Sequence, residues 1–205
     1  MISTVVGPLR AYDVSVRGSN ESGLVDVSQT GGHVVLYQSD RNAARATWDE
    51  EKAKRRAETF LDRVGFHGFQ IIYSLHNGNS LIVQAVPRIS GALIYPDMVK
   101  LSIGLDNGEV LAFDARSYFT NHHTRHLAPP KRTVAQARAQ LNHQLQLGRS
   151  RLVVVTTSDQ AHEVLAYETE VSKDGETYLV YNHADNGQEV KVLRLIDVGG
   201  GQLTR

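Results

Sequence analysis

Cysteine is absent from this sequence, which removes disulfide frameworks, thiolate zinc sites and thiol nucleophiles together. A surplus of either charge is lacking too, since 22 Lys and Arg are matched by 22 Asp and Glu. Proteins that hold nucleic acid normally carry a basic excess, because phosphate neutralisation supplies most of their affinity. No nucleic-acid partner is therefore expected. No apolar run reaches the ~18 residues that a membrane-crossing helix needs, and residues 1–6, closed by Gly7-Pro8, are too short for a signal peptide. Any export or anchoring sequence is expected outside this chain. Reactive signatures are missing as well: Gly-x-Ser-x-Gly, the P-loop, Gly-x-Gly-x-x-Gly and His-Glu-x-x-His do not occur. These absences lead to the expectation of a protein that is not an enzyme and carries no cofactor. What is present is apolar content of 41% over 205 residues, enough to build a core.

The most informative feature is internal repetition. Shifting the chain by 155 residues lays Ala11-Tyr12 on Ala166-Tyr167, Val16 on Val171 and Glu21 on Glu176. Without a gap, Leu24-Val25 then falls on Leu179-Val180, Gly32 on Gly187 and Val35 on Val190. A middle copy shares the pattern more loosely, with Asp106-Asn107-Gly108 at the place of Asp185-Asn186-Gly187 and of Thr30-Gly31-Gly32. Asn-Gly and Gly-Gly favour positive φ at both central positions, so each turn is expected to be a tight type I′ hairpin.

Period-two alternation marks the flanking strands. Tyr12, Val14 and Val16 alternate with Asp13, Ser15 and Arg17, and Leu101, Ile103 and Leu105 alternate with Lys100, Ser102 and Gly104. Tyr167, Thr169 and Val171 alternate with Glu168 and Glu170. The predicted strands are 69–75, 80–86, 98–105 and 110–114 in the second copy, and 151–156, 164–171, 177–183 and 188–196 in the third. A helix precedes each of these meanders. Thr47-Trp48-Asp49-Glu50 and Thr133-Val134-Ala135-Gln136 read as capping boxes. Ala53, Ala57, Phe60, Leu61 and Val64 follow the first at helical spacing; Val134, Ala137, Leu141 and Leu145 follow the second. Gly65 and Gly148 stand where a helix end takes a left-handed residue. Asp49, Glu50 and Glu51 suit a helix first turn, where negative charge complements the macrodipole. Arg55, Arg56, Glu58 and Asp62 form a solvated outer face.

The expected architecture is α+β: three tandem modules, each a helix packed on an antiparallel β-meander, the first lacking its helix and first strand. Their bounds are 1–41, 46–118 and 133–198, with a linker at 119–132. The bare sheet of the first module needs a cover, either upstream sequence, which is favoured, or a neighbouring copy or second molecule. A homodimer stays open on this ground.

Two segments stand apart as candidate sites. Asn121-His122-His123-Thr124-Arg125-His126 gathers three imidazoles ahead of Leu127-Ala128-Pro129-Pro130. It reads as a solvated connector, a partner contact, or a zinc or nickel site; the first is preferred and no metal is assigned. The connection 88–97 carries Leu93, Ile94 and Tyr95, more apolar surface than a solvated loop needs. Packing between copies and contact with a partner protein are its two readings, and aromatic anchors often dominate interfaces. The partner-binding candidates are Leu93, Ile94, Tyr95, His122, His123 and Arg125.

A capped helix followed by a meander closing on Asp-Asn-Gly-Glu resembles the PepSY module, and the order of three resembles the C-terminal region of the YpeB family of spore germination proteins. The matching stretches are Gly-Gly-His-Val-Val-Leu-Tyr at 31–37, Tyr-Pro-Asp-Met-Val-Lys at 95–100 and Asp-Asn-Gly-Glu-Val at 106–110. Tyr118, His122 or His123 with Arg125, and Tyr178-Leu-Val-Tyr-Asn182 also fit. The resemblance covers nearly the whole chain and implies a non-catalytic partner that localises, stabilises or restrains a cortex-lytic enzyme of the SleB type. It implies a place at the outer face of the inner spore membrane or in the cortex, with membrane attachment only through an upstream anchor that this soluble piece lacks. An inhibitory, propeptide-like PepSY module acting on a peptidase is the neighbouring alternative, and a histidine-linker metal protein or enzyme the remote one. The family offers no catalytic residues to carry over.

Overall fold

Alternating apolar residues become strands almost wherever they occur. The computed structural model describes residues 2–5, 9–18, 22–157, 162–197 and 202–204; Gly7-Pro8, Glu21 and the module end at 198 lie outside the described residues. The elements are β1 (Ile2–Val5), β2 (Ala11–Arg17), β3 (Ser22–Ser28), β4 (Val34–Ser39), α1 (Glu50–Arg63), β5 (Phe69–Asn77), β6 (Ser80–Ile89), β7 (Ala92–Ile94) and β8 (Val99–Gly104). They continue with β9 (Val110–Asp114), α2 (Arg116–Asn121), α3 (Val134–Ala139), β10 (Gln146–Thr156), β11 (Glu163–Lys173), β12 (Glu176–His183), β13 (Glu189–Asp197) and β14 (Gln202–Thr204). The chain is α+β, mostly sheet with few helices.

Two compact units result: Met1–Pro87 with Asp97–His122, and Arg88–Pro96 with His123–Arg205. In the first, antiparallel strands follow the order β1-β2-β3-β4-β9-β8-β6-β5. In the second the order is β7-β10-β11-β12-β13-β14, antiparallel except for the β7–β10 pair. The first meander is more complete than its sequence suggests, because β1 pairs with β2 from Ile2↔Val14 to Val5↔Ala11. Among the described residues no helix precedes it.

The repeat is written into the ladders. The 155-residue shift carries Val14↔Val25 onto Thr169↔Val180 and Val25↔Tyr37 onto Val180↔Val192. A bulge interrupts the last pairing of each copy at one repeat position: Asp26/Val27, Ser102/Ile103 and Tyr181/Asn182. The returning strand begins opposite Val27, Ile103 or Asn182 and carries its extra residue, Val35, Leu111 or Val190, directly after that pair. A bulge bends the strand and raises its twist, so its recurrence gives the three meanders one curvature.

In the first copy Gly31 and Gly32 both take positive φ as expected, 82° and 65°, though within a loop longer than a two-residue type I′ turn, closed by Ser28 N–H donating to the His33 carbonyl at 2.8 Å. In the second and third copies only the glycine takes positive φ, 76° at Gly108 and 78° at Gly187. Each closes a longer loop, with Gly108 N–H donating to the Gly104 carbonyl at 2.8 Å and Gly187 N–H to that of His183 at 2.9 Å. The side chains of Asn107 and Asn186 accept from the amides two residues on, an Asx turn that stabilises the loop without a second left-handed residue. True two-residue turns with both φ positive lie elsewhere, at Ser90-Gly91 and Asp174-Gly175.

These loops fasten the segment that leads into each helix. The Leu105 carbonyl accepts from the amides of Thr47 and Trp48 at 2.8 and 2.7 Å, and Asp106 Oδ2 accepts from Ala44 N–H at 2.9 Å. In the third copy the Ala184 carbonyl accepts from Arg132 N–H at 3.0 Å and Asp185 Oδ1 from Lys131 N–H at 3.1 Å. The Ala44 amide and the nearby Arg41 guanidinium hold the Asp106 carboxyl below its ordinary range, against a smaller opposing effect of burial. Thr47 is used here rather than as a helix cap: its hydroxyl donates to the Asp106 carbonyl at 2.9 Å. Asp49 caps α1 instead, accepting from Lys52 N–H at 2.7 Å.

α1 buries Ala53, Ala57 and Leu61, one residue per turn of a single stripe. It ends in a Schellman motif: Gly65 has φ 93°, Phe66 N–H donates to the Leu61 carbonyl and Gly65 N–H to that of Asp62. The stripe lies over Leu81, Val83, Leu101 and Phe113 in the core of the first unit. Phe66 joins an aromatic cluster with Phe69, Phe113 and Tyr118 at centroid distances of 5.1–5.6 Å. Tyr118 and Phe119 belong to α2, so the expected linker begins inside a helix whose rings pack on this core.

α3 carries the expected capping box, Thr133 with Gln136. It stops at Ala139 because Asn142 turns the chain, its side chain accepting from Gln144 N–H at 2.9 Å. Leu141 and Leu145 therefore leave the helix, and Gly148 lies in β10 beside a bulge rather than at a helix end.

Glu50 illustrates how α1 is tied to its sheet. Its carboxylate accepts from Lys54 at 2.7 Å and from the Ser74 hydroxyl on β5 at 2.6 Å, which hold its pKa at about 2. A depressed carboxyl stabilises the fold fully above its unfolded value and loses that contribution as pH falls. Stability is therefore expected to decline between about pH 5 and pH 2, and Glu50→Gln to flatten that decline. The side chain is partly exposed, so the effect should be no more than about 1 kcal/mol and weaken with salt. Urea titrations at several pH values measure it.

Candidate functional site

The segment Arg88–Pro96 owes its course to its composition. Ser90-Gly91 turns the chain, and Ala92-Leu93-Ile94 becomes β7, paired antiparallel to the end of β6 and parallel to β10 through Leu93↔Val153 and Ile94↔Val154. Ala92, Leu93 and Ile94 are buried, and Ile94 and Ala92 form a cluster with Val154. Leu93 and Ile94 are thus core residues of their unit and present almost no surface. The run has no polar alternation because no side of it meets water.

Tyr95 is also engaged internally. Its hydroxyl donates to Glu168 Oε2 at 2.7 Å, and the Tyr181 hydroxyl donates to the same oxygen at 2.7 Å. Arg151 Nε donates to Glu168 Oε1 at 2.5 Å, and its guanidinium lies 5.7 Å from the Tyr95 ring centroid. Arg151, Glu168, Tyr181 and Lys191 occupy one row across β10, β11, β12 and β13. Glu168 is only 3% exposed; its alternation with Tyr167 suggests a wet face, yet that face is covered. Burial lowers the Lys191 pKa, and the Glu168 charge partly opposes this.

The histidine segment divides. In the first unit, His122 Nδ1 lies 2.6 Å from Oδ2 of Asp97, which is completely buried, and its ring stacks on Tyr118 at 4.4 Å. Burial, reinforced by the Asp97 charge, raises the Tyr118 pKa. In the second unit, Arg125 is buried and donates twice to Glu163, each bond 2.7 Å, which lowers the Glu163 pKa. His123 Nε2 lies 3.8 Å from the same carboxylate. Of the six candidates, His122 and His123 keep substantial exposed surface. Among the described residues no group of three His, Asp or Glu side chains is placed to hold a metal ion. Nor is any described helix long and apolar enough to cross a membrane.

Asp26 is a polar residue the sequence reading passed over. It sits at the repeat position of Tyr181, opposite Asp13, which takes the position of Glu168. The third copy thus pairs a carboxylate with a phenol, and the first pairs two carboxylates. Asp26 is buried, and its Oδ1 has no hydrogen-bond partner among the described residues. Burial, then Asp13, raise its pKa, against the influence of Arg116. A raised carboxyl costs stability as pH climbs through its folded value. Asp26→Asn is therefore expected to stabilise the chain at pH 7 by about 0.2–1 kcal/mol, the scale of a like-charge cross-strand pair. The gain should vanish in acid, as urea midpoints at pH 7 and pH 3 would show.

Comparison with known proteins adds the remaining finding. Residues 3–128 match the family model described as YpeB sporulation, PepSY1 and PepSY2 domains. The chain is 29% identical over 188 residues to sporulation protein YpeB of Bacillus subtilis, covering 90% of this chain and 42% of that one. It is 29% identical over 171 residues to YpeB of Halalkalibacterium halodurans, covering 83% of this chain and 38% of that one. It thus spans about two fifths of these relatives' length. The solved Bacillus megaterium YpeB C-terminal domain is similar with a TM-score of 0.82 and 27% identity, over 96% of this chain and 89% of that domain.

Proposed function

This chain belongs to the YpeB family of sporulation proteins, and from that premise we propose that it is a non-catalytic binding protein of spore germination. It holds, and thereby localises, stabilises or restrains, a cortex-lytic enzyme of the SleB type at the spore membrane or cortex. The observation that carries this reading is the threefold meander with its recurring bulge. Repetition of one curved sheet unit multiplies recognition surface, whereas a catalytic centre needs unlike groups brought to one point. The polar clusters support the same reading. Arg125 is paired with Glu163, and Glu168 with Arg151, Tyr95 and Tyr181, so these polar groups are engaged with one another.

The exposed edges of His122 and His123 are the candidate contacts that remain after Leu93, Ile94, Tyr95 and Arg125 are assigned to internal packing. The reading is tested by mixing the chain with a SleB-type enzyme, measuring association by calorimetry and cortex fragments released from decoated spores. Association with altered cortex release supports it; no association, by this chain or by a longer version, removes it. His123→Ala should weaken association while leaving the circular dichroism spectrum unchanged.

A further inference from the structure

The helix-facing side of the first meander is laid open. Tyr12, Val16, Val34 and Val64 are each 44–48% exposed, four of the six most exposed large apolar residues described. The repeat counterparts of Tyr12, Val16 and Val34 are not: Tyr167 and Val171 in the third copy, and Val110 in the second, are buried. Val25 and Tyr37 likewise answer to Leu101 and Phe113, which lie in the core beneath α1. A groove of about 540 Å³ occupies this place, lined by Val25, Val34, Tyr37, Phe60, Val64 and Phe113 among others. One wall is the outer edge of α1 and the floor is the sheet of the first copy. The groove therefore coincides with the seat that a helix fills in the second copy.

We infer that this groove is the docking site of an amphipathic helix that precedes β1 in the longer proteins of the family. Chain order identifies the occupant. α1 precedes β5 by five residues and α3 precedes β10 by six, so a helix serving β1–β4 in the same arrangement ends a few residues before Ile2. The curated relatives have such sequence to offer, since this chain spans about two fifths of their length and its solved counterpart is a C-terminal domain. The docking differs from the other two in one respect. The first turn is Thr30-Gly31-Gly32, without the aspartate that fastens the approach to α1 and α3. The occupant is thus held by apolar contact with the groove and not by a clamped lead-in. This inference does not depend on the binding of a lytic enzyme.

Hydrogen exchange on the 205-residue chain and on the protein expressed with its upstream reading frame tests it. Amides of β3 and β4 next to Val25, Val27 and Val34 should exchange at least tenfold more slowly in the longer protein. Val34→Asp should abolish that protection there, while shifting the melting temperature of the 205-residue chain by no more than about 2 °C, as befits an exposed site. Equal exchange in both proteins overturns the inference, as does the absence of any upstream frame. So does slow, concentration-dependent exchange in the 205-residue chain with a dimer in light scattering, which would make a second copy the occupant.

Discussion

Glu168→Ala should lower the unfolding free energy by about 3–5 kcal/mol, the penalty for stripping one partner from a buried ion pair. Three donors converge on this carboxylate, from Arg151, Tyr95 and Tyr181. Alanine removes the acceptor that a guanidinium and two phenols share, and each bond lost from a buried donor carries its own desolvation penalty. Glu168→Gln should fall between, because an amide oxygen still accepts from the phenols but no longer opposes the Arg151 charge. The double variant Arg151→Met with Glu168→Leu should be less destabilised than Glu168→Ala, since no charge is then stranded. The alanine deficit should also shrink toward pH 10. Lys191 is already depressed by burial, and loses in this variant the carboxylate that favours its charged form. A group so depressed makes the fold more stable as pH rises. Urea denaturation followed by circular dichroism gives all three comparisons.

Gly108→Ala should be nearly as harmful, at about 2–4 kcal/mol from left-handed strain and overpacking together. A Cβ at Gly108 would lie 2.0 Å from the Trp48 ring, and the residue sits at φ 76°. The indole is rigid and precedes α1 directly, so relief requires moving the start of the helix. Gly187→Ala meets the same φ but a different neighbour. Its Cβ would approach Gln140 Oε1 at 2.2 Å, the tip of a flexible side chain that can swing aside. The third copy should lose only the backbone strain, about 1–2 kcal/mol. Equal losses at the two positions would mean that Trp48 does not fix the lead-in to α1.

Much of the fold could be read from the chain because the relevant signals are local. The stripe Ala53, Ala57 and Leu61 and the left-handed Gly65 specify α1 and its end. The strands of the second and third meanders follow directly from alternation, and the ordered identities point to the family. What escaped depends on distant partners. β7 is three apolar residues without period, and its parallel neighbour β10 lies some sixty residues on. Asp-Asn-Gly composition suits both a two-residue turn and the longer loop actually formed, and only the pairing around it decides. α3 stops where the Asn142 side chain competes for backbone, an effect that helical spacing does not register. The polar core was hidden for a different reason. Counting outward from the Asp174-Gly175 turn places Glu168 opposite Tyr181, so the pair was legible, but nothing local says that their face is covered. The candidate contacts Leu93, Ile94 and Tyr95 were visible as an apolar excess, and that excess turned out to serve packing.

The chain passes from the first unit to the second after Pro87, returns at Asp97 and passes again after His122. A ribosome therefore releases the β7 strand long before β10 exists to receive it. Until synthesis reaches Val154, Ala92, Leu93 and Ile94 have no partner strand on that side, and proteolytic trimming to 123–205 would strand β10 with a raw edge. Fragments cut by module boundaries should aggregate unless 88–96 is restored to them, so the smallest self-sufficient piece of the carboxyl-terminal half is discontinuous in the gene.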